Sequence, residues 1–160
     1  MEYFLLRKSE PAYNNNVAVA VELRAITETL ANAYERLKQL ALEASTRKAQ
    51  LFVFNLSSEI YKFYLEAVLQ VQVLERRLFY PFKIETYPDE FYVVNFDKRF
   101  VRDNSDEIMK QCSEVKQQIQ EAYNSILSGS SISKEQRKIL HQQINGITTC
   151  FLKLKIRTPS

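Results

Sequence analysis

Glutamates recur at a spacing of seven in three places, Glu28/Glu35, Glu59/Glu66 and Glu107/Glu114/Glu121. Seven residues make nearly two helical turns, so each set stays on one helix face. A di-metal bundle takes a glutamate from each of two helices and a Glu-x-x-His pair from each of two others, all turned inward. The chain contains no Glu-x-x-His. At about 100° per residue, Glu114 and Glu121 stand roughly 120° or more from the centre of the apolar stripe on their segment. Glu28 and Glu35 take an outer heptad position, and Glu59 and Glu66 sit about 80° off their stripe, on its flank. The three sets read as solvated helix faces, and neither a metal nor a cofactor is expected.

Other chemistry is equally thin. His141, the sole histidine, follows Leu140 and has no carboxylate within four residues. A serine or cysteine triad would need that imidazole in a cleft, and nothing around it suggests one. Gly129 and Gly146, the only glycines, cannot form a phosphate-cradling loop. No catalytic residue is named, and a non-enzyme is expected. One stretch mixes cations with rings: Arg76, Arg77, Phe79, Tyr80, Lys83, Lys98, Arg99 and Arg102. That mixture suits a single-stranded nucleic acid, whose backbone follows the charge while its bases stack. Glu85, Asp89, Glu90 and Asp97 dilute the field, and a net charge of +3 with a pI near 8.8 is only mildly basic. Nucleic-acid contact through Arg76, Arg77, Tyr80, Lys83, Lys98, Arg99 and Arg102 is the alternative reading.

The elements that would position these groups are helices. With 160 residues, 46% of them apolar, the chain suffices for one domain with a real core. Two glycines and four prolines leave little turn chemistry for a sandwich or barrel. Residues 1–16, ending in Pro11 and Asn14-Asn15-Asn16, read as an arm, with Asn16 as helix cap. From about Val17 to Ala44, Val19, Leu23, Ile26, Leu30, Ala33, Leu37, Leu40 and Ala44 alternate by four and three, which is a heptad seam. Extending that seam would put Arg47 and Ser58 at apolar positions, so a tight turn at Ser45–Lys48 is expected.

A second helix, about Lys48 to Tyr80, carries two stripes. One is Leu56, Ile60, Phe63, Ala67, Val71, Leu74 and Leu78; the other is Phe54, Tyr61, Leu65, Val68 and Leu69. A helix apolar on both sides is central to its fold or covered by a partner. The second stripe is therefore the candidate interaction surface. Residues 81–102 carry two β-favouring runs about Pro88-Asp89 and read as a short hairpin or an extended crossover. A third helix from Asn104 or Ser105 uses Ile108, Cys112, Val115, Ile119, Ala122 and Ile126, with Gly129 as its stop. A fourth opens on Ser133-Lys134-Glu135-Gln136, a capping-box spacing, and continues through Leu140, Ile144, Ile147, Phe151 and Leu154. Cys112 and Cys150 lie on or beside seams and read as small packing residues. No apolar run reaches the roughly 18 residues of a membrane span, and the start lacks the charge order of a signal peptide. A reduced, cytoplasmic protein is expected.

Asp106-Glu107-Ile108-Met109-Lys110-Gln111-Cys112-Ser113-Glu114, Glu121-Ala122-Tyr123 and Ser133-Lys134-Glu135-Gln136-Arg137 resemble the second helix pair of an uncharacterised bacterial family of ferritin-like four-helix domains. Ala33-Tyr34-Glu35 is similar to that family's first helix. The resemblance implies a ferritin-like bundle, with dimer formation an expectation, in a family without a defined activity. A metal site is not carried over, since the glutamate–histidine pairs are missing and Phe151 stands where a ligand would be needed. The expectation is an all-α four-helix bundle, ferritin-like or up-down, with a long connection between helices 2 and 3. It is expected to serve as a non-enzymatic interaction or structural module that pairs through Phe54, Tyr61, Leu65, Val68 and Leu69 with a second copy of itself, as a homodimer, or with another protein. A ferritin-like bundle with an atypical metal site is a further alternative.

Overall fold

A computed structural model describes residues 10–74, 102–129 and 132–157, with side chains from residue 18 to residue 153 within those ranges. Four helices are present, α1 Glu10–Glu43, α2 Arg47–Leu74, α3 Ser105–Leu127 and α4 Lys134–Arg157, and no strand occurs among the described residues. No described helix is long and apolar enough to cross a membrane.

Helix α1 begins at Glu10, earlier than the asparagine cluster suggests. Pro11 falls in its first turn, where a missing N–H goes unnoticed because that N–H has no helical acceptor. The heptad seam is borne out, since Val19, Leu23, Ile26, Leu30, Ala33, Leu37, Leu40 and Ala44 are all buried. The expected turn falls at residues 44–46. Thr46 Oγ1 accepts the Ala49 N–H at 3.1 Å and so caps α2, while the buried Gln50 amide donates to the Ala44 carbonyl at 3.0 Å. Of the main α2 stripe, Leu56, Ile60, Ala67 and Val71 are buried, and Phe63 and Leu74 pack partly buried against the core. Leu78 and the expected extension to Tyr80 lie outside the described residues.

Helix α3 starts where the sequence places it. Asn104 does not cap its own helix; its side chain serves the α1–α2 turn. Asn104 Oδ1 accepts the Ser45 N–H at 2.8 Å, Nδ2 donates to the Glu43 carbonyl at 2.9 Å, and Ser45 Oγ accepts the Asn104 N–H at 3.0 Å. Asp103 takes over the cap, accepting from the Ser105 hydroxyl at 2.6 Å and its N–H at 2.9 Å. Those two bonds favour the charged carboxylate and hold the Asp103 pKa below its ordinary value, the hydroxyl contributing most.

At the other end of α3 the helix stops after Leu127, yet no described glycine has a positive φ, so Gly129 is not a left-handed cap. Arg137 of α4 instead donates to the Leu127 carbonyl and, at 2.9 Å, to that of Gly129, satisfying C-terminal acceptors of α3. The capping box forms as expected. Gln136 N–H donates to Ser133 Oγ at 3.2 Å, and Ser133 N–H donates to Gln136 Oε1 at 3.1 Å.

In the bundle α1 packs beside α2 and α3, and α4 beside α2 and α3, so α1 lies diagonally across from α4. Ser45 with Asn104 and Arg36 with Gln111 make α3 antiparallel to α1. Helices α2 and α3 therefore run the same way, and Leu74 and Arg102 stand at opposite ends. At about 1.5 Å per residue that separation is roughly 40 Å along the axis. The flanks fit the crossover option; the crossover and hairpin residues themselves, 81–101, lie outside the described residues.

Gly146 sets the α2–α4 approach. A Cβ there would sit 2.8 Å from Phe63 Cζ and 3.1 Å from Cε1. Gly146→Ala would gain about 1 kcal/mol of helix propensity in isolation. We expect a net loss of about 1–2 kcal/mol, because the Phe63 ring must leave a packed position. Phe63→Leu in the same chain should recover most of that loss in urea titrations. A simple sum of the two single effects would show that the contact does not matter.

Candidate functional site

The five residues of the expected surface are divided by the fold. Phe54 and Val68 are buried within the chain, Tyr61 and Leu65 are partly buried, and Leu69 is 59% exposed. The reason is angular. At about 100° per residue, Phe54, Tyr61 and Val68 lie roughly 80–120° from Ile60, on the flank of the core stripe and not opposite it. That flank faces α1. The Tyr61 ring lies 5.1 Å from Tyr34 and 5.8 Å from Tyr64, centre to centre. Burial, with lesser contributions from Glu35 and Tyr61, pushes the Tyr34 hydroxyl up to about 12.

The apolar side chains left open on α2 are Leu51 near its start, 48% exposed, and a ridge of one residue per turn, Leu65, Leu69 and Val73, the last 65% exposed. Val73 escaped the sequence reading because it lies between the two stripes. Its signal was present, since it continues the step of four from Leu65 and Leu69.

Of the residues named for nucleic-acid contact, Arg102 is exposed, next to Asp103. Arg76, Arg77, Tyr80, Lys83, Lys98 and Arg99 lie outside the described residues. The glutamate sets are on the solvent side: Glu28, Glu35, Glu66, Glu107, Glu114 and Glu121 are exposed, and Glu59 is half-buried beside Lys62 at 3.2 Å. Among the described residues no three His, Cys, Asp or Glu side chains converge. His141 is exposed.

The polar groups that do enter the bundle are neutral. Tyr123 is fully buried and its hydroxyl donates to Gln143 Oε1 at 3.1 Å; Gln143 Nε2 donates to Gln70 Oε1 at 3.3 Å. The chain of bonds joins α3, α4 and α2 through the core. Gln70 Nε2, at its end, is buried without a hydrogen-bond partner. Burial, and then the Glu66 charge, raise the Tyr123 pKa, so the phenol stays protonated as a donor. Here the seam expectation is corrected: Ala122 is half-buried, and Tyr123 takes the core position between Ile119 and Ile126. Steps of four then three fit the seam as well as three then four, and the phenol enters because Gln143 offers it an acceptor. Gln143 was overlooked because a glutamine on a seam flank carries no apolar signal.

Both thiols are unpaired. Burial pushes Cys112 up to about 12, against a smaller opposing pull from Arg36, and burial together with Glu59 raises Cys150. Neither is poised as a thiolate nucleophile.

Fold and site thus define an all-α four-helix protein with a neutral polar chain in its core and an apolar ridge on one outer helix face. No protein-family model matches the chain, and no curated protein or solved structure is detectably similar to it.

Proposed function

We propose that the chain is a non-enzymatic interaction module, ferritin-like in connectivity, that pairs with a second copy of itself through the outer face of α2. The observation that carries this is the Leu65–Leu69–Val73 ridge, with Leu69 59% and Val73 65% exposed. Burying such side chains is worth roughly 1.5–3 kcal/mol each, and apolar residues on successive turns form the kind of patch that marks an interface. Two-fold pairing is the commonest way for a patch to cover itself. The ferritin-like connectivity is supported by the parallel course of α2 and α3, which calls for a long connection. Two unpaired thiols fit the reducing cytoplasm. The atypical-metal reading finds less support, because the core positions hold a phenol and two amides where a hard metal would want carboxylates.

Val68 is buried, so charge belongs on the open ridge. In sedimentation velocity at tens of micromolar the native chain should run as a dimer. Leu69→Glu with Val73→Glu should run as a monomer with unchanged helical circular dichroism. A native monomer, or a dimer that survives both charges, overturns the reading.

A further inference from the structure

The outer side of the α1–α2 pair carries an apolar groove near the turn that joins the two helices. Tyr34 meets Tyr61 with ring centres 5.1 Å apart, and closer to the turn the Gln50 amide donates to the Ala44 carbonyl at 3.0 Å. Counting from these contacts, Leu42 of α1 and Leu51 of α2 stand within about a turn of each other along the pair. At about 100° per residue, Leu42 is rotated about 80° outward from Tyr34, and Leu51 about 80° outward from Tyr61. They form the two edges of the groove, 46% and 48% exposed. Buried Tyr34 and Phe54 and half-buried Tyr61 lie beneath them.

The chain enters α3 at this end of the bundle. Asn104 makes three hydrogen bonds with Ser45 and Glu43 of the α1–α2 turn, so Arg102 lies beside that turn. From Leu74, at the other end, the chain must cover roughly 40 Å, which takes about twelve extended residues at about 3.3 Å each. Fewer than half of residues 75–101 are needed for that. Because α2 and α3 are diagonal, the route passes either α1 or α4. The α2–α4 flank carries Glu59, Lys62 and Glu66, the first two ion-paired at 3.2 Å. The α1–α2 flank offers aromatic and aliphatic side chains, and the run ahead of Arg102 is Phe91-Tyr92-Val93-Val94-Asn95-Phe96.

We propose that this run, Phe91–Phe96, docks lengthwise in the outer α1–α2 groove, from the Leu42–Leu51 pair towards the Tyr34–Tyr61 contact. Counted back from Arg102 at about 3.3 Å per residue, Phe96 is within about 20 Å of the turn, enough to round the end of the pair and reach Leu42 and Leu51. Phe91 is up to about 16 Å further on, which matches the roughly 12 Å of helix between Leu42 and Tyr34. Docking removes apolar surface of both partners from water, and the tether spares the groove a competing occupant. Leu69 and Val73 lie about 12 Å or more beyond Tyr61 along α2, so this inference does not rest on self-association.

The test places p-benzoylphenylalanine at Phe96 in the full chain and maps its photo-adducts by mass spectrometry. Mixing unlabelled with nitrogen-15 chains separates contacts within a chain from contacts between chains. Adducts within one chain to residues 38–54 are the expected result, also in the Leu69→Glu with Val73→Glu chain, so a failure of the dimer reading is distinguishable. Adducts to α3 or α4, adducts between chains, or no adduct overturn the proposal. Limited trypsin digestion reads the same docking without the probe, since Lys98 and Arg99 follow the run. Leu42→Asp with Leu51→Asp should raise cleavage there at least ~10-fold, because a docked segment is cut when it opens. Leu152→Asp, at a 45% exposed position on α4, should leave the rate unchanged. Helical circular dichroism reports folding, and Leu51→Ser replaces the double variant if that one does not fold. Unchanged cleavage in a folded groove variant overturns the proposal.

Discussion

Tyr123→Ala should cost the bundle about 3–5 kcal/mol, the usual range for removing a buried aromatic ring. The ring is fully buried between Ile119 and Ile126, and its hydroxyl begins the hydrogen-bond chain to Gln143 and Gln70. Total stabilities of small domains are about 5–15 kcal/mol, so the variant should be unfolded or nearly so at moderate urea. Tyr123→Phe separates packing from polarity. It keeps the ring but strands the Gln143 carbonyl in the core, at a cost of about 1–3 kcal/mol. Adding Gln143→Leu and Gln70→Leu together should return part of that loss, because removing every member of the chain costs less than orphaning one. If Tyr123→Ala lost under about 1 kcal/mol in urea titrations, the phenol would not be in the core.

Alkaline pH should unfold the protein through groups that resist ionisation. Cys112, ordinarily near 9.0, is raised to about 12 by burial, and Tyr123 is raised above its ordinary 10.0. In both cases the folded state holds the proton more tightly than the unfolded chain. The stability associated with these protons is therefore complete below about pH 9 and is lost as pH rises. Each such group removes about 1.4 kcal/mol per pH unit once the unfolded chain has ionised. The decline should begin near pH 9 with Cys112 and steepen to about 4 kcal/mol per pH unit past pH 10 as Tyr123 and Tyr34 join it. Tyr34, raised to about 12, acts in the same direction. Cys112→Ala should make the decline between about pH 9 and 10 shallower, leaving the part due to Cys150, measured by urea midpoints from pH 8 to 11. A midpoint independent of pH over that range would show that neither group is desolvated.

Much of the bundle was legible along the chain. The steps of four and three from Val19 to Ala44 specify one face of α1, and that face is the core. The phase break at Arg47 marked the first turn, and Ser133 with Gln136 marked the start of α4, because caps and heptads are local and their partners lie within a turn or two. Periodicity states which way a stripe points on its own helix. It does not state which neighbour stands beside the stripe. Phe54 and Val68 therefore looked like an outer surface until α1 proved to lie along that flank, and the open ridge moved to Leu65, Leu69 and Val73.

The sequence by itself determined four amphipathic helices, the capping box at Ser133 and the solvent position of the glutamates. Tertiary structure alone decided the rest. Asn104 leaves its own helix to bind Ser45 and Glu43, Tyr123 reaches Gln143 and through it Gln70, and Gly146 makes room for Phe63. Each depends on residues far apart in sequence meeting at one level of the bundle. The parallel course of α2 and α3 follows from the same contacts. Such pairings are set by how whole helices pack, which no window of the sequence encodes.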